Sequence, residues 1–249
     1  MITYFRKIRK KMADDNRPLK YMRYAIGEIV LVVIGILIAL QINQWNDYRI
    51  KRNLEVELLM EIKDNLLKDK AQIHRILEFN KKKEATIQTI MYSFEKARTD
   101  GFDLNTFSQH MGVLGTYEHF LPNRTAFDNL LDTESVSLIS NKDLRTHLSK
   151  YYKYDFMSGT QETVSFRTRS FTETASSHLT TKESINRMFG VNLDLKSSTN
   201  TQIQKDENII TSMVYMSIVM SYQNELMTNT LADVILNLEL IDTHIVKKE

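Results

Sequence analysis

Glu28 is the residue whose position suggests chemistry most directly, because this carboxylate interrupts the apolar run of residues 25–42. An ionised carboxylate in hydrocarbon is costly and usually has a partner or a proton-linked task. The helical stripe that carries Glu28 also carries three small or polar residues, namely Gly35, Ala39 and Asn43. Small residues four positions apart let two helices approach closely, so this stripe predicts self-association. For the carboxylate itself we favour an interfacial position, where the helix N-terminal dipole stabilises it.

Sequence motifs for catalysis and metal binding do not occur in this chain. The six histidines show neither an H-E-x-x-H motif nor tight spacing with carboxylates, and no Cys is present for a structural zinc site. The G-x-S-x-G, P-loop and G-x-G-x-x-G motifs are also missing. We therefore expect a protein that is not an enzyme, with no catalytic residue, no metal site and no cofactor.

An aromatic cluster at Tyr151, Tyr152 and Tyr154 could stack nucleic-acid bases. Tyrosines at helical spacing more often pack in a core, and the chain beyond residue 24 carries a net negative charge, which opposes binding to a phosphate backbone. We expect packing residues here and no nucleic-acid partner.

The composition favours an all-α fold. Only 7 Gly and 2 Pro occur among the 249 residues, which disfavours a turn-rich β sandwich. A hydrophobic fraction of 42% and a charged fraction of 26% indicate a folded chain, and its length can bury a real core.

Residues 25–44 are predicted to form a transmembrane signal anchor. The apolar run within them holds 18 residues, close to the roughly 20 that cross a bilayer as a helix. Tyr24 and Trp45 supply interfacial aromatic anchors at its two ends. No A-x-A pattern follows the run, which argues against a cleaved signal peptide. A buried core helix of a soluble protein is the remaining alternative.

The asymmetry of positive charge gives the expected orientation. Residues 1–24 hold eight Lys or Arg against two Asp, whereas three basic residues follow the span closely. The basic tail, residues 1–24, should therefore be cytoplasmic, and residues 45–249 should be exported as a helical domain. This arrangement predicts a single-pass protein of a bacterial inner membrane, with its C-terminal domain in the periplasm and the lipid bilayer as its first partner.

The first exported helix should carry a heptad seam toward a bundle. Three polar residues, Asp69, Asn80 and Lys83, interrupt this seam, and such defects suit a bundle better than an isolated coiled coil. A bend or short loop near residues 80–83 is an open alternative to one continuous straight helix. The apolar seam residues are Leu59, Ile62, Leu66, Ile73, Ile76, Ile87, Ile90 and Phe94.

The C-terminal helix carries a second seam, whose positions alternate steps of three and four residues. It runs from Ile210 to Ile245 with only Ser217 and Asn224 polar. We expect this helix to lie antiparallel against the first exported helix, which would bring residues 247–249 near the lipid surface. The core positions predicted for it are 210, 213, 217, 220, 224, 227, 231, 234, 238, 241 and 245.

Shorter elements should connect these two helices. Residues 101–122 are predicted to be a connector with short helices, and residues 126–131 and 142–152 to be two short helices with polar caps. Residues 154–186 are predicted to be a helix, and residues 192–205 a loop.

The run from Tyr24 to Asn46, YAIGEIVLVVIGILIALQINQWN, resembles the hallmark segment of a family of uncharacterised single-pass membrane proteins from flavobacteria and their relatives. The basic start at residues 5–9 is similar to that family as well, and the similarity is looser beyond residue 60. This resemblance implies an inner-membrane protein with an exported helical domain. It implies no site residues, because the family's function is unknown.

These observations predict a non-enzymatic scaffold or interaction module of the cell envelope, acting as a homo-oligomer with a possible envelope protein partner. Two alternatives remain open. One span, a basic tail and an acid in the membrane resemble the ion-coupled stator subunits of the ExbD, TolR and MotB type, which require a multi-span channel partner. A ligand-sensing membrane protein would instead call for a defined apolar pocket inside the bundle.

Overall fold

The computed structural model of this chain describes residues 7, 18–97, 101–132, 135–198 and 201–246. Within these ranges the fold is all-α, as predicted, and an isolated antiparallel bridge joins Phe102 to Thr201. Residues 18–24 of the predicted basic tail begin the first helix, and of residues 1–17 only residue 7 is described. The α-helices are α1 (Pro18–Lys96), α2 (Leu104–Leu114), α3 (Thr125–Asp132), α4 (Lys142–Lys153), α5 (Thr160–Leu179), α6 (Lys182–Phe189) and α7 (Glu207–Val246). Two short 3-10 helices, Ser135–Leu138 and Ile203–Lys205, complete the described elements.

The chain divides into two compact units, residues 1–57 and residues 58–249, and α1 supplies residues to both. No Gly or Pro occurs between Gly35 and Gly101, so no residue there breaks the helix. The short loop considered near residues 80–83 is not found, because α1 is continuous through them.

The seam predicted along α1 is confirmed at every position. Its eight apolar residues are all buried, and so are the polar Asp69, Asn80 and Lys83. The polar residues therefore interrupt the core itself and do not turn away from it, so each needs a hydrogen-bonding partner inside residues 58–249.

The antiparallel pairing of α1 with α7 is also confirmed. Lys63 Nζ lies 2.5 Å from Asp242 Oδ1 near one end of the pair. Further along, Asn80 Nδ2 donates to Asn224 Oδ1 at 2.8 Å, and Glu84 accepts from Ser217. As residue numbers rise along α1 they fall along α7. Residues 247–249 lie outside the described residues, so their predicted place near lipid stays a prediction.

The seam predicted along α7 is half wrong. Five of its positions, 213, 220, 227, 234 and 241, are fully buried, but the intervening positions are only partly covered. The preceding residues are buried in their place, namely Ile209, Met216, Gln223, Thr230, Asn237 and His244. The reason is that α7 packs against α4 and α5 as well as α1, so its buried face is centred between these neighbours and not on one partner.

Residues 58–249 contain two apolar clusters in series along the α1–α7 pair. The first gathers residues 59–76 of α1, the aromatic residues of α3 and α4, and residues 227–241 of α7. The second gathers residues 87–94 of α1, with apolar residues of α2, α5 and the start of α7. The polar seam residues Asn80 and Lys83 lie between the two clusters in sequence.

The intervening helices match the predictions in part. α3 and α4 occupy the two short predicted helices, and Asn141 caps α4 by accepting from the Asp143 and Leu144 amides. The single helix predicted over residues 154–186 is wrong, since α5 ends at Leu179 and α6 is a separate helix. Thr181 and Ser184 form a capping box that starts α6, and a helix start of this kind interrupts the run.

Candidate functional site

The apolar run lies in α1, and its side chains are exposed. An 18-residue window of this helix has a mean hydropathy of 2.6, and none of the window is buried. Among the described residues it is the one helix long and apolar enough to cross a membrane. Apolar surface of this extent is not covered by the chain itself, which is the condition expected of a span.

The stripe predicted for self-association lies on this exposed helix. Ala39 and Asn43 are exposed, and among the described residues no atom apart from the adjoining backbone of α1 would lie within 4 Å of a Cβ added at Gly35 or at Gly27. Glu28 is partly buried and has an interaction partner within the chain. A single chain therefore leaves room for a second helix along this stripe, and the self-association itself remains a prediction.

Of the two predicted interfacial anchors, Trp45 is described and Tyr24 is not, because the Tyr24 side chain lies outside the described residues. The Trp45 ring is 62% exposed, and the Arg49 guanidinium lies 5.4 Å from its centroid. Arg49 also donates to Asn46 Oδ1 at 3.2 Å. This pairing of an exposed indole with a cation is suited to a headgroup region, where both apolar and charged groups are present.

A buried polar network at the middle of the bundle was not predicted as a site. Residues 115–124, which we call the connector, join α2 to α3 without helical structure. An extended segment against a core exposes backbone N–H and C=O groups that need partners. Side chains from three helices supply these partners, and they are Asp69, Gln72 and Lys83 of α1, Gln161 of α5 and Gln223 of α7.

Gln161 makes the densest set of these contacts. Its amide oxygen accepts from the Phe120 amide at 2.5 Å, and its amide nitrogen donates to the Phe120 carbonyl at 3.0 Å. The same nitrogen donates to the Phe156 carbonyl at 2.6 Å. Gln161 is 1% exposed, so one side chain satisfies three backbone groups in a region that water does not reach.

Lys83 is a buried cation in the same network. Its ammonium donates to the Thr116 carbonyl at 2.7 Å and to the Thr168 hydroxyl at 3.0 Å, and the residue is 1% exposed. In the described part of the chain, no carboxylate forms an ion pair with Lys83. Burial therefore lowers its pKa to about 8.

Asp69 anchors the far end of the connector. One carboxylate oxygen accepts from the Asn123 amide at 2.8 Å and from its side-chain nitrogen at 2.6 Å, and the other accepts from the Tyr151 hydroxyl at 2.8 Å. Burial raises the pKa of Asp69, and the hydrogen bonds from Asn123 and Tyr151 oppose that shift because they stabilise the carboxylate. The interpretation of the tyrosine cluster as packing residues is confirmed for Tyr151 and Tyr152, which are buried against Phe127, Phe156 or each other, but not for Tyr154, which is 53% exposed.

A polar layer links this network to the α1–α7 pair. Asn80 Nδ2 donates to Gln223 Oε1 at 2.9 Å, and Gln223 Nε2 donates to the Glu118 carbonyl of the connector at 2.9 Å. These buried amides contact one another only at one alignment of the helices, so the layer fixes the relative position of α1 and α7. Asn80 and Lys83 could be identified from the sequence, because they interrupt the apolar seam of α1. No pattern in the sequence marks the other network residues, which are Gln72, Gln161 and Gln223.

A histidine–carboxylate pair lies beside the second apolar cluster, the one that contains residues 87–94 of α1. His178 Nε2 in the last turn of α5 lies 2.6 Å from Asp206 Oδ2, and Asp206 also accepts from the Asn208 amide at the start of α7. Partial burial raises the pKa of Asp206, but the hydrogen bonds from His178 and Asn208 outweigh it and lower that pKa overall. This pair fastens α5 to the start of α7. Among the described residues, no group of three or more His, Asp or Glu is placed to hold a metal ion.

Together, these features define an all-helical protein with one helix compatible with a single membrane span and a helical bundle stabilised by buried polar contacts. The chain belongs to the DUF6090 family, a family of unknown function, whose family model matches residues 28–193. No curated protein and no solved structure matches this chain.

Proposed function

We propose that this protein is a single-pass inner-membrane protein of the flavobacterial type whose periplasmic helical bundle is a non-enzymatic scaffold or interaction module of the cell envelope. The observation that carries the proposal is the 18-residue apolar window, none of which is buried by the chain. Exposed apolar surface of that length needs lipid or a partner helix around it. The eight basic residues before it support a cytoplasmic N-terminus.

The polar interior of the bundle supports a structural role for residues 58–249. Gln161, Gln223 and Lys83 each bond to backbone groups of the connector, and Asp69 does so as well. These groups hold the connector in place, and a rigid bundle of this kind is suited to presenting a surface to other envelope components. A homo-oligomer is the arrangement we propose, with contact along Gly35 and Ala39.

Two measurements test this proposal. The full-length protein should remain in membranes after carbonate extraction, and alkaline phosphatase fused to its C-terminus should be active in cells. An inactive fusion, or a processed N-terminus near residues 39–45, would overturn the signal anchor. Chemical crosslinking in membranes should then trap a homo-oligomer. A monomer in membranes under all crosslinking conditions would overturn the scaffold as proposed.

The stator-like alternative is retained because Glu28 lies in the apolar run, and a carboxylate at such a position usually has a partner or a task. This alternative requires that a multi-span partner co-purifies with the protein. It also requires that loss of the carboxylate abolishes function while assembly stays intact.

A further inference from the structure

An open groove runs along the surface between α1 and α7, where polar residues interrupt the apolar seams of both helices. Its volume is about 680 Å³, which lies within the roughly 300–1,000 Å³ of small-molecule sites. Ala85, Ser217 and Ser221 line the groove, and their side chains are too short to fill the space between the helices. All of its lining residues belong to residues 58–249. A space of this size on the bundle surface can take a small ligand.

The floor of the groove is polar and is held in place by hydrogen bonds across the helix pair. Asn80 is 2% exposed, and its side-chain nitrogen donates to Asn224 Oδ1 at 2.8 Å. One turn along α1, the Glu84 carboxylate accepts from the Ser217 hydroxyl and from Gln88 Nε2 at 3.4 Å. These contacts fix the polar groups before a ligand binds, which lowers the cost of ordering them on binding.

Hydrogen-bonding capacity remains open along the groove. Asn224 Oδ1 accepts from Asn80, but in the part of the chain that the structure describes the Asn224 side-chain nitrogen donates to no group. The exposed Ser221 hydroxyl and Lys81 ammonium likewise have no bonded partner among the described residues, and the Gln88 side-chain oxygen accepts from none of them. The groove therefore presents an amide and an ammonium that donate, beside an amide oxygen and a hydroxyl that accept.

The charges that line the groove favour a neutral ligand. Lys81 and Glu84 lie on one face of α1, so a cation is repelled by the ammonium and an anion by the carboxylate. A zwitterion would need the Glu84 carboxylate, which already accepts from Ser217 and Gln88. A purely apolar ligand would cover the Asn224 amide nitrogen without giving it an acceptor, which is costly. The lining is matched by an uncharged molecule that carries donors and acceptors at short spacing.

A saccharide has this chemistry. Each ring hydroxyl both donates and accepts, so neighbouring hydroxyls can bond to the nitrogen and the oxygen of side-chain amides. The C–H face of a sugar ring is apolar and packs against aromatic rings. Two exposed tyrosines extend the groove walls by one helical turn, since Tyr92 follows Gln88 by four residues and Tyr222 follows Ile218 by four. Their side chains are 59% and 57% exposed, so both rings are accessible.

We propose that this groove binds a neutral saccharide, whose hydroxyls bond to Asn224, Ser221 and Gln88 and whose ring lies between the two exposed tyrosines. The site gives the interaction module proposed above a class of ligand, a glycan, and in that sense it rests on the proposed function. Binding to the purified protein is measured without reference to topology or oligomerisation. A failure to bind sugar and a failure of the membrane assignment are therefore separate results.

Saturation-transfer NMR on the full-length protein in lipid nanodiscs tests the site, with cellobiose and N,N′-diacetylchitobiose as the probes and empty nanodiscs as the blank. Wild type should transfer saturation to the ring protons of at least one of these disaccharides. Ser221→Leu removes a hydroxyl and narrows the groove, so it should weaken binding by about threefold or more, the order of change that one hydrogen bond supplies. No transfer to either disaccharide would overturn the proposal.

Asn229→Leu is the matched control, because Asn229 is also an exposed polar residue of α7 but does not line the groove. This control should bind like wild type. Gln88→Ala is a second variant that removes an exposed polar side chain without filling the groove, and it should weaken binding by a similar factor. Equal binding by wild type, Ser221→Leu and Gln88→Ala would overturn the placement of the ligand in this groove.

Charged probes test the chemical class of the ligand. Glucuronate and glucosamine keep the ring of glucose and add a negative or a positive charge, whereas glutamine is a zwitterion without a sugar ring. Wild type should bind glucose at least as tightly as either charged sugar, and glutamine should not displace the disaccharides. Tighter binding of glucuronate or glucosamine than of glucose would overturn the assignment to a neutral ligand. Displacement of the disaccharides by glutamine would overturn the assignment to a saccharide.

Discussion

Replacing the buried Lys83 with Met tests whether the polar network is organised as described. Lys83→Met keeps the volume of the side chain, removes a desolvated charge and leaves the Thr116 carbonyl without its donor. An unpaired buried carbonyl costs about 1–3 kcal/mol. Relief of the buried charge offsets this loss at neutral pH, so the variant and wild type should have similar stabilities at pH 7.

The pH dependence of the unfolding free energy distinguishes wild type from Lys83→Met. The pKa of Lys83 is about 8 in the folded state, and its ordinary value of 10.5 applies to the unfolded chain. Between these two pH values, the unfolded chain therefore binds a proton that the folded chain does not. Raising the pH through this window therefore favours folding. The difference corresponds to about 3 kcal/mol, at about 1.4 kcal/mol per pKa unit. Wild type should gain this stability relative to Lys83→Met, because the variant has no amine to titrate.

Urea unfolding of the full-length protein in lipid nanodiscs, followed by far-ultraviolet circular dichroism, measures the difference at each pH. Other titrating groups, including the tyrosines, are shared by both proteins and cancel in the comparison. A stability difference that does not change between pH 7 and 10.5 would show that Lys83 has an ordinary pKa in the folded state, which would refute its burial without a counter-charge.

Three further predictions concern the connector and the span. Gln161→Leu leaves three buried backbone groups unpaired and should lower the unfolding free energy by about 3–5 kcal/mol in urea titrations. Gln72→Leu removes one hydrogen bond of 3.3 Å and should lower it by less than about 1 kcal/mol. Equal losses in the two variants would contradict the role assigned to Gln161. Gly35→Leu should weaken oligomerisation in a transmembrane reporter assay more than Gly27→Leu, because Gly27 lies off the stripe, and two wild-type signals would exclude the stripe as a contact. Glu28→Gln should leave assembly and growth nearly unchanged if this residue is interfacial, while loss of function with intact assembly would support the proton-linked alternative.

Helix content and the α1–α7 pairing could be predicted because apolar periodicity reports directly on a helix face that packs against one dominant surface. The α1 seam is such a case, down to the buried Asp69, Asn80 and Lys83. Every second position of the α7 seam gave way to the residue before it because that helix has partners on several sides, and its sequence alone does not show their directions.

The connector contacts could not be predicted, for a different reason. Gln161 and Gln223 have the residue type of a solvated helix face although both are buried, and only the path of residues 115–124 across the bundle gives them backbone groups to bind. The break before α6 was hidden as well. Thr181 and Ser184 form a capping box, but they lie in a stretch so rich in Ser and Thr that several other caps were equally plausible.

The claim that one helix anchors the bundle across a membrane is tested most directly by site-specific labelling. Because wild type has no Cys, it supplies the blank for two single-cysteine variants, Thr3→Cys in the basic tail and Glu225→Cys on the exposed face of α7. The account predicts that a membrane-impermeant maleimide labels position 225 in intact spheroplasts and labels position 3 only after the membrane is permeabilised. Labelling of both positions only after permeabilisation, or recovery of the full-length protein in the soluble fraction, would contradict it.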